Sequence, residues 1–101
     1  MHITVSRDEP DTRVLTVAGE IDMATVPHVH SAVDDALRDE AVRRLVLDFA
    51  DVTFLDCTGI AALLQVTRQA RARGACACLV RCRPVVLRVL DATGVTGHLL
   101  G

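Results

Sequence analysis

The sequence of 101 residues contains no lysine, tryptophan or tyrosine, and its only aromatic side chains are Phe49 and Phe54. Because half of the residues are nevertheless hydrophobic, the core has to be built from Val, Leu, Ile and Ala. No apolar run approaches the ~20 residues that a membrane-spanning helix needs, and the N-terminus lacks a signal peptide's apolar stretch. We therefore expect one domain, spanning residues 1–101, in the cytoplasm and without a membrane partner.

Positive charge is carried by arginine alone, and the acidic and basic residues are mixed along the chain with a formal net charge of −2. A nucleic-acid-binding surface requires basic residues clustered on one face or along one helix. The chain shows no such cluster, so we expect no nucleic-acid partner.

Cysteine is sparse, with four residues at Cys57, Cys76, Cys78 and Cys82. In a cytoplasmic chain these are expected to be reduced thiols. The last three would share one face of a strand, which raises the alternative of a zinc site. Residues i and i+2 of a strand lie about 7 Å apart along the chain, an awkward spacing for two ligands at ~2.3 Å from one metal. We therefore predict small buried hydrophobic side chains and no metal site.

Hydrophobic periodicity predicts strands alternating with helices in the order ββαβαβα(β). Such an order implies right-handed crossovers and an α/β fold, with a small mixed, mostly parallel sheet and helices packed on one side. The predicted strands are Ile3–Arg7, Arg13–Ala18, Leu45–Phe49 and Ala75–Arg81, with a last strand proposed at residues 95–100. The predicted helices begin at Thr25–Pro27, Ile60 and Pro84.

The most informative stretch is the polar segment Asp56-Cys57-Thr58-Gly59, which separates an apolar strand from the helix pattern Ile60–Arg73. A hydroxyl here stands at or near a helix N-terminus, where free N–H groups and the helix dipole favour anions. A phosphate on Thr58 would be tolerated and accessible to a partner. The structural alternative is that Thr58 simply caps the helix.

Catalytic motifs are missing: the chain contains no GxxxxGK[ST] loop, no GxGxxG fingerprint and no GxSxG elbow. Cys82 and Arg88 match the C-x5-R spacing of cysteine phosphatases, but the residues between them include no glycine and Pro84 removes an N–H donor. Cys57 has no base near it in the sequence. We therefore expect no catalysis and no cofactor, and interpret the chain as a binding module with a switchable surface.

Three segments resemble the STAS domain, and specifically the bacterial anti-sigma factor antagonists. Gly19-Glu20-Ile21-Asp22 with Ala24-Thr25 resembles the family's G-E-[LI]-D-x-[AST]-[TN] stretch, and Leu45–Phe49 resembles its central strand. Residues 52–60 resemble its D-[ST]-[ST]-G turn, and Gly74, Pro84 and Gly94 match its later spacing.

The resemblance implies a non-enzymatic domain whose partner is an anti-sigma factor, a Ser/Thr kinase of histidine-kinase-like fold. The unphosphorylated antagonist binds that kinase and releases the sigma factor. The kinase, with ATP, phosphorylates the second hydroxyl position of the turn, which is Thr58 here. Asp22, Asp56 and Gly59 match neighbouring family positions and inherit a place at the partner surface. Cys57, between Asp56 and Thr58, is expected at the same surface.

The sequence departs from the family pattern in two places. Cys57 stands where serine is usual, and the chain ends at Gly101, short of the helix that commonly closes the domain. We therefore expect either a truncated C-terminus or a domain without that helix. Two other functions stay open: a non-phosphorylated STAS module in a signalling or lipid-transport complex, and an enzyme using Cys57 or Cys82. The sequence does not indicate an oligomeric state.

Overall fold

The computed structural model describes residues 1–93, which form four strands and three helices. The predicted element order is confirmed over these residues, and the proposed last strand, residues 95–100, lies outside them. The strands are β1 (His2–Glu9), β2 (Thr12–Ile21), β3 (Arg44–Leu55) and β4 (Cys76–Val80), and the helices are α1 (Val26–Leu37), α2 (Cys57–Ala72) and α3 (Pro84–Thr93).

The four strands form one sheet in the order β1-β2-β3-β4. β1 and β2 are an antiparallel hairpin, while β3 runs parallel to both β2 and β4. The predicted mixed, mostly parallel sheet is therefore confirmed. Since β2 and β3 are parallel neighbours, their carboxyl ends lie side by side, with Ile21 opposite Leu55.

The core fills the space between one face of the sheet and the helices. Alternate residues of β2 and β3 are fully buried there, and they join the buried sides of all three helices in one cluster. Phe49 is the largest of the completely buried side chains, and aliphatic residues supply the rest as predicted. Side chains of the opposite sheet face, such as Val14, Val46 and Cys78, stay half-exposed.

Two predicted boundaries are wrong around the polar segment. β3 continues to Leu55 rather than ending at Phe49, and α2 begins at Cys57 rather than at Ile60. The polar residues after Phe49 interrupt the apolar alternation and resemble a turn. Pairing with the end of β2 nevertheless extends β3 to Leu55, and a register shift between the two strands accommodates the interruption. The predicted stop is confirmed, because Gly74 follows the helix with a φ of +76°.

The prediction of burial, which concerned Cys76, Cys78 and Cys82, is wrong for Cys76. Cys57 and Cys76 are exposed, while Cys78 and Cys82 are half-buried. Cys76 and Cys78 share a sheet face as predicted, whereas Cys82 lies beyond the end of β4, so the prediction is wrong for Cys82. Register places Cys76 and Cys78 beside Arg44 and Val46 on the face turned away from the core. Cys82 packs against the edge of the core.

An ion pair between a buried carboxylate and an exposed guanidinium joins the residue after β4 to β3. The Asp48 side chain is only 8% exposed, and the Arg81 guanidinium donates to both of its carboxylate oxygens. Arg81 adopts a left-handed conformation, with a φ of 56°, which is uncommon for a non-glycine residue. The hydrogen bonds from Arg81 lower the pKa of Asp48 from its ordinary value of 3.8, against the opposing effect of burial.

We predict that Arg81→Ala destabilises the fold at pH 7, because it removes the cation that pairs with the buried Asp48 carboxylate and leaves the Ala50 N–H as its described donor. A depressed folded pKa contributes stability that is present above the unfolded value of 3.8 and is lost as pH falls through the folded value. The difference between wild type and variant should therefore shrink below about pH 4.

Urea denaturation of both proteins between pH 2.5 and 8 measures this difference. Arg38→Ala is the matched control, because Arg38 forms an exposed pair with Asp35 that should contribute less than about 0.5 kcal/mol. A loss for Arg81→Ala that is equally small, or that does not change with pH, would contradict the prediction.

Candidate functional site

The candidate site is built around a close contact between β2, β3 and the first turn of α2. The Asp56 N–H donates to the Ile21 carbonyl at 3.3 Å. A Cβ atom on Gly59 would lie 2.9 Å from that carbonyl oxygen and 2.5 Å from Leu55 Cδ1. Only glycine allows α2 to begin so close to both strand ends, so Gly59 acts through packing rather than as an exposed contact residue.

Asp56, rather than Thr58, is the N-cap of α2. Its carboxylate Oδ1 accepts the Gly59 N–H at 2.9 Å, while its backbone is extended. The negative charge also lies at the positive end of the helix dipole. The structural alternative for Thr58, capping, is therefore wrong, because another residue performs that function.

Thr58 is exposed in the first turn of α2, and among the described residues its hydroxyl takes part in no hydrogen bond. It lies between the half-buried cap Asp56 and the buried Gly59, next to the exposed Cys57. Its side chain is thus accessible from solvent on a backbone that the neighbouring contacts fix. This is the geometry that a phosphate acceptor needs, with the hydroxyl free and the main chain ordered.

Asp22 follows β2 as Asp56 follows β3, so parallel pairing places the two carboxylates at the same edge of the sheet. Asp22 Oδ1 accepts the N–H groups of Ala24 and Thr25, both at 3.0 Å, just before α1 begins. The Thr25 hydroxyl in turn accepts the Asp22 N–H at 2.9 Å. Asp22 therefore has a structural function in this loop, which does not depend on any partner.

Two exposed apolar side chains at the same edge were not predicted from the sequence. Met23 is 76% exposed and directly follows Asp22, while Phe54 is 47% exposed and directly precedes Leu55. Regular alternation would have placed Phe54 on the face of the buried Val52, but the register shift opposite Gly19 and Glu20 breaks that relation. Met23 lies in a loop, where periodicity gives no signal.

Nothing at either cysteine favours nucleophilic chemistry. Burial raises the pKa of the Cys82 thiol, and the negative charge of Asp48 raises it further. In the C-x5-R match, residues from Pro84 onward are helical, so their N–H groups do not converge on the Cys82 sulfur as a phosphate loop requires. The exposed Cys57 thiol forms no hydrogen bond among the described residues.

The candidate site is an open surface rather than a cavity. A groove of about 520 Å³ lies at the other end of the domain, between the C-terminal ends of α1 and α2. Two of its three arginines donate to carbonyl groups, Arg73 to Leu37 at 3.0 Å and Arg43 to Glu40 at 2.8 Å, and Arg38 pairs with Asp35. Within residues 1–93, no three His, Cys, Asp or Glu side chains are placed to hold a metal ion.

None of the three described helices has the length and apolar character that crossing a bilayer requires.

Comparison with known proteins gives a consistent result. The model of the STAS domain family matches residues 4–99. An anti-sigma factor antagonist from Mycobacterium paratuberculosis is 27% identical, with 97% of this chain and 83% of that chain covered and a TM-score of 0.80.

The anti-sigma factor antagonist SpoIIAA in its unphosphorylated form is 21% identical, with a TM-score of 0.81 over 98% of this chain and 86% of that one. The phosphorylated form of SpoIIAA from Bacillus is 20% identical, with a TM-score of 0.73 over 98% and 89% of the two chains. At this identity the likeness shows the fold.

We predict that Gly59→Ala destabilises the domain by about 1–3 kcal/mol, although alanine is the better helix former, because the added methyl group overlaps Leu55 and the Ile21 carbonyl. Thr58→Ala, one residue away, is the matched control and should shift the free energy of unfolding by less than about 0.5 kcal/mol. Thermal and urea denaturation measure both. Equal stability of the two variants would show that the close contact does not constrain the site.

Proposed function

The chain belongs to the STAS domain family, and from that membership we propose that it is an anti-sigma factor antagonist whose binding to an anti-sigma factor kinase is switched off by phosphorylation of Thr58. The match to an antagonist at 27% identity over nearly the whole chain supports the general role. The observation that carries the specific proposal is the state of Thr58. Its hydroxyl is exposed and forms no described hydrogen bond, and Asp56 rather than Thr58 caps the helix.

In the proposed cycle, the unmodified domain binds the kinase and the sigma factor is released. The kinase then transfers the γ-phosphoryl group of ATP to Thr58 Oγ1, the hydroxyl proton is lost and ADP remains. The added group carries roughly −1.5 to −2 charges at neutral pH. The free domain accommodates this charge, because the phosphate lies at the N-terminus of the 16-residue helix α2.

The complex accommodates the phosphate far less well. A partner surface shaped around a neutral hydroxyl would have to desolvate the phosphate and bring it against the phosphates of its own bound nucleotide, which costs several kcal/mol. A loss of about 3 kcal/mol weakens binding more than a hundredfold.

The domain itself is proposed to have no catalytic activity. The raised pKa of Cys82 disfavours its thiolate, and the helical backbone after Pro84 cannot form a phosphate-binding loop. The open surface at Thr58 suits a protein partner rather than a small substrate.

We predict that a purified anti-sigma factor kinase with ATP adds one phosphate to the wild-type chain, and that mass spectrometry locates it on Thr58. Thr58→Ala should accept none and still bind the kinase. Thr53→Ala is the matched control, because Thr53 is also exposed and lies five residues away, at the end of β3. A phosphate on another residue, or undiminished labelling of Thr58→Ala, would contradict the proposed site.

Asp22 gives a separate test, because it has both a structural function and a proposed one at the partner surface. Asp22→Asn keeps the oxygen that accepts the Ala24 and Thr25 N–H groups but removes the charge. We predict weaker kinase binding or slower phosphorylation, with a melting temperature within about 3 °C of wild type.

Asp22→Ala, which loses those hydrogen bonds as well, is the comparison and should also lower the melting temperature. If Asp22→Asn melts far below wild type yet is phosphorylated at the normal rate, the role of Asp22 is structural alone.

A further inference from the structure

Large exposed apolar side chains are few in the described residues, and two of them lie at the candidate site. The five are Met1, Val5, Met23, Phe54 and Val85. Single exposed apolar residues are normal on protein surfaces, so only their position can indicate an interaction site. Met23 is the most exposed of the five, and Phe54 is the only aromatic side chain outside the core.

Met23 and Phe54 belong to the two chain segments that flank the contact at Gly59, at the same end of the sheet as Thr58. Phe54 immediately precedes Leu55, and Met23 is two residues beyond Ile21. Ile21 and Leu55 are register partners, and both lie where a Gly59 side chain would clash. Thr58 is bonded to Gly59, so all three side chains originate within two residues of one packed point.

The same edge is acidic. Segments 19–25 and 52–60 contain three carboxylates, Glu20, Asp22 and Asp56, and no arginine or histidine. Glu20 is exposed and is the register partner of Phe54. Apolar side chains among carboxylates fit a partner face that offers apolar pockets surrounded by basic groups.

We infer that Met23 and Phe54 are the apolar anchors with which this domain docks onto the kinase, and that Glu20, Asp22 and Asp56 steer the approach of a basic kinase face. The inference rests on the proposed function and deepens it. Interface energy is concentrated in a few well-packed side chains, and methionine and aromatic residues are enriched among interface residues. The carboxylates contribute mainly to the rate of association.

The test uses purified anti-sigma factor kinases of the organism that encodes this chain, with ADP, and measures binding by calorimetry and surface plasmon resonance. Met23→Gln removes apolar character from the loop at nearly the same side-chain length, and Phe54→Thr removes it while remaining compatible with a strand. Val5→Thr and Val85→Thr are matched controls, because Val5 and Val85 are 48% and 49% exposed, much like Phe54, but lie on β1 and α3.

Each anchor variant should bind about tenfold or more weakly than wild type, whereas each control stays within about twofold. Wild-type association should slow as salt rises. Met23 lies in a loop, so Met23→Gln decides the question even if Phe54→Thr fails to fold.

The outcomes separate the inference from the proposed function. If wild type binds and is phosphorylated on Thr58 but the anchor variants bind as tightly as the controls, the anchors are wrong and the proposed function stands. If association does not depend on salt, the steering role of the carboxylates is wrong. If wild type binds no such kinase, the proposed function fails, and the inference with it.

Discussion

The contact between Gly59 and the carbonyl of Ile21 is the constraint on which the candidate site depends. It brings the start of α2 against the ends of two parallel strands, at a distance that no larger residue permits. Two elements thus come to lie at one edge: the loop after β2, which carries Asp22 and Met23, and the first turn of α2, which carries Thr58. Without this contact the loop after β2 and the first turn of α2 would not share a surface.

A division of functions between Asp56 and Thr58 follows from that geometry. Asp56 satisfies the Gly59 N–H and stabilises α2 by about 1 kcal/mol, as N-caps typically do. Thr58 is thereby free of a capping function, and the proposed phosphorylation would remove none of the described hydrogen bonds of the fold. A surface can be switched without unfolding only when the switched residue and the structural residue differ.

Much of this was predictable from the sequence, and the failures have physical causes. Periodicity predicted the element order, because helices and strands here each have one buried side. Periodicity failed between Phe49 and Leu55, where pairing with β2 extends the strand in spite of polar residues. Because the end of β3 was placed too early, Asp56 was not identified as the N-cap of α2. Cys76 was wrongly predicted to be buried. The sheet face on which it lies depends on its register with Arg44, which only the structure provides. The exposure of Phe54 was not predicted either, because it depends on the register shift between β2 and β3.

The central claim is that phosphorylation of Thr58 changes partner binding and not the fold. Titration of the phosphorylated and unmodified domains into the cognate kinase with ADP, alongside their melting curves, tests it most directly. The account predicts more than a hundredfold weaker binding for the phosphorylated domain and melting temperatures within about 4 °C of each other. Equal affinity of the two forms, or a phosphorylated domain that no longer folds, would contradict it.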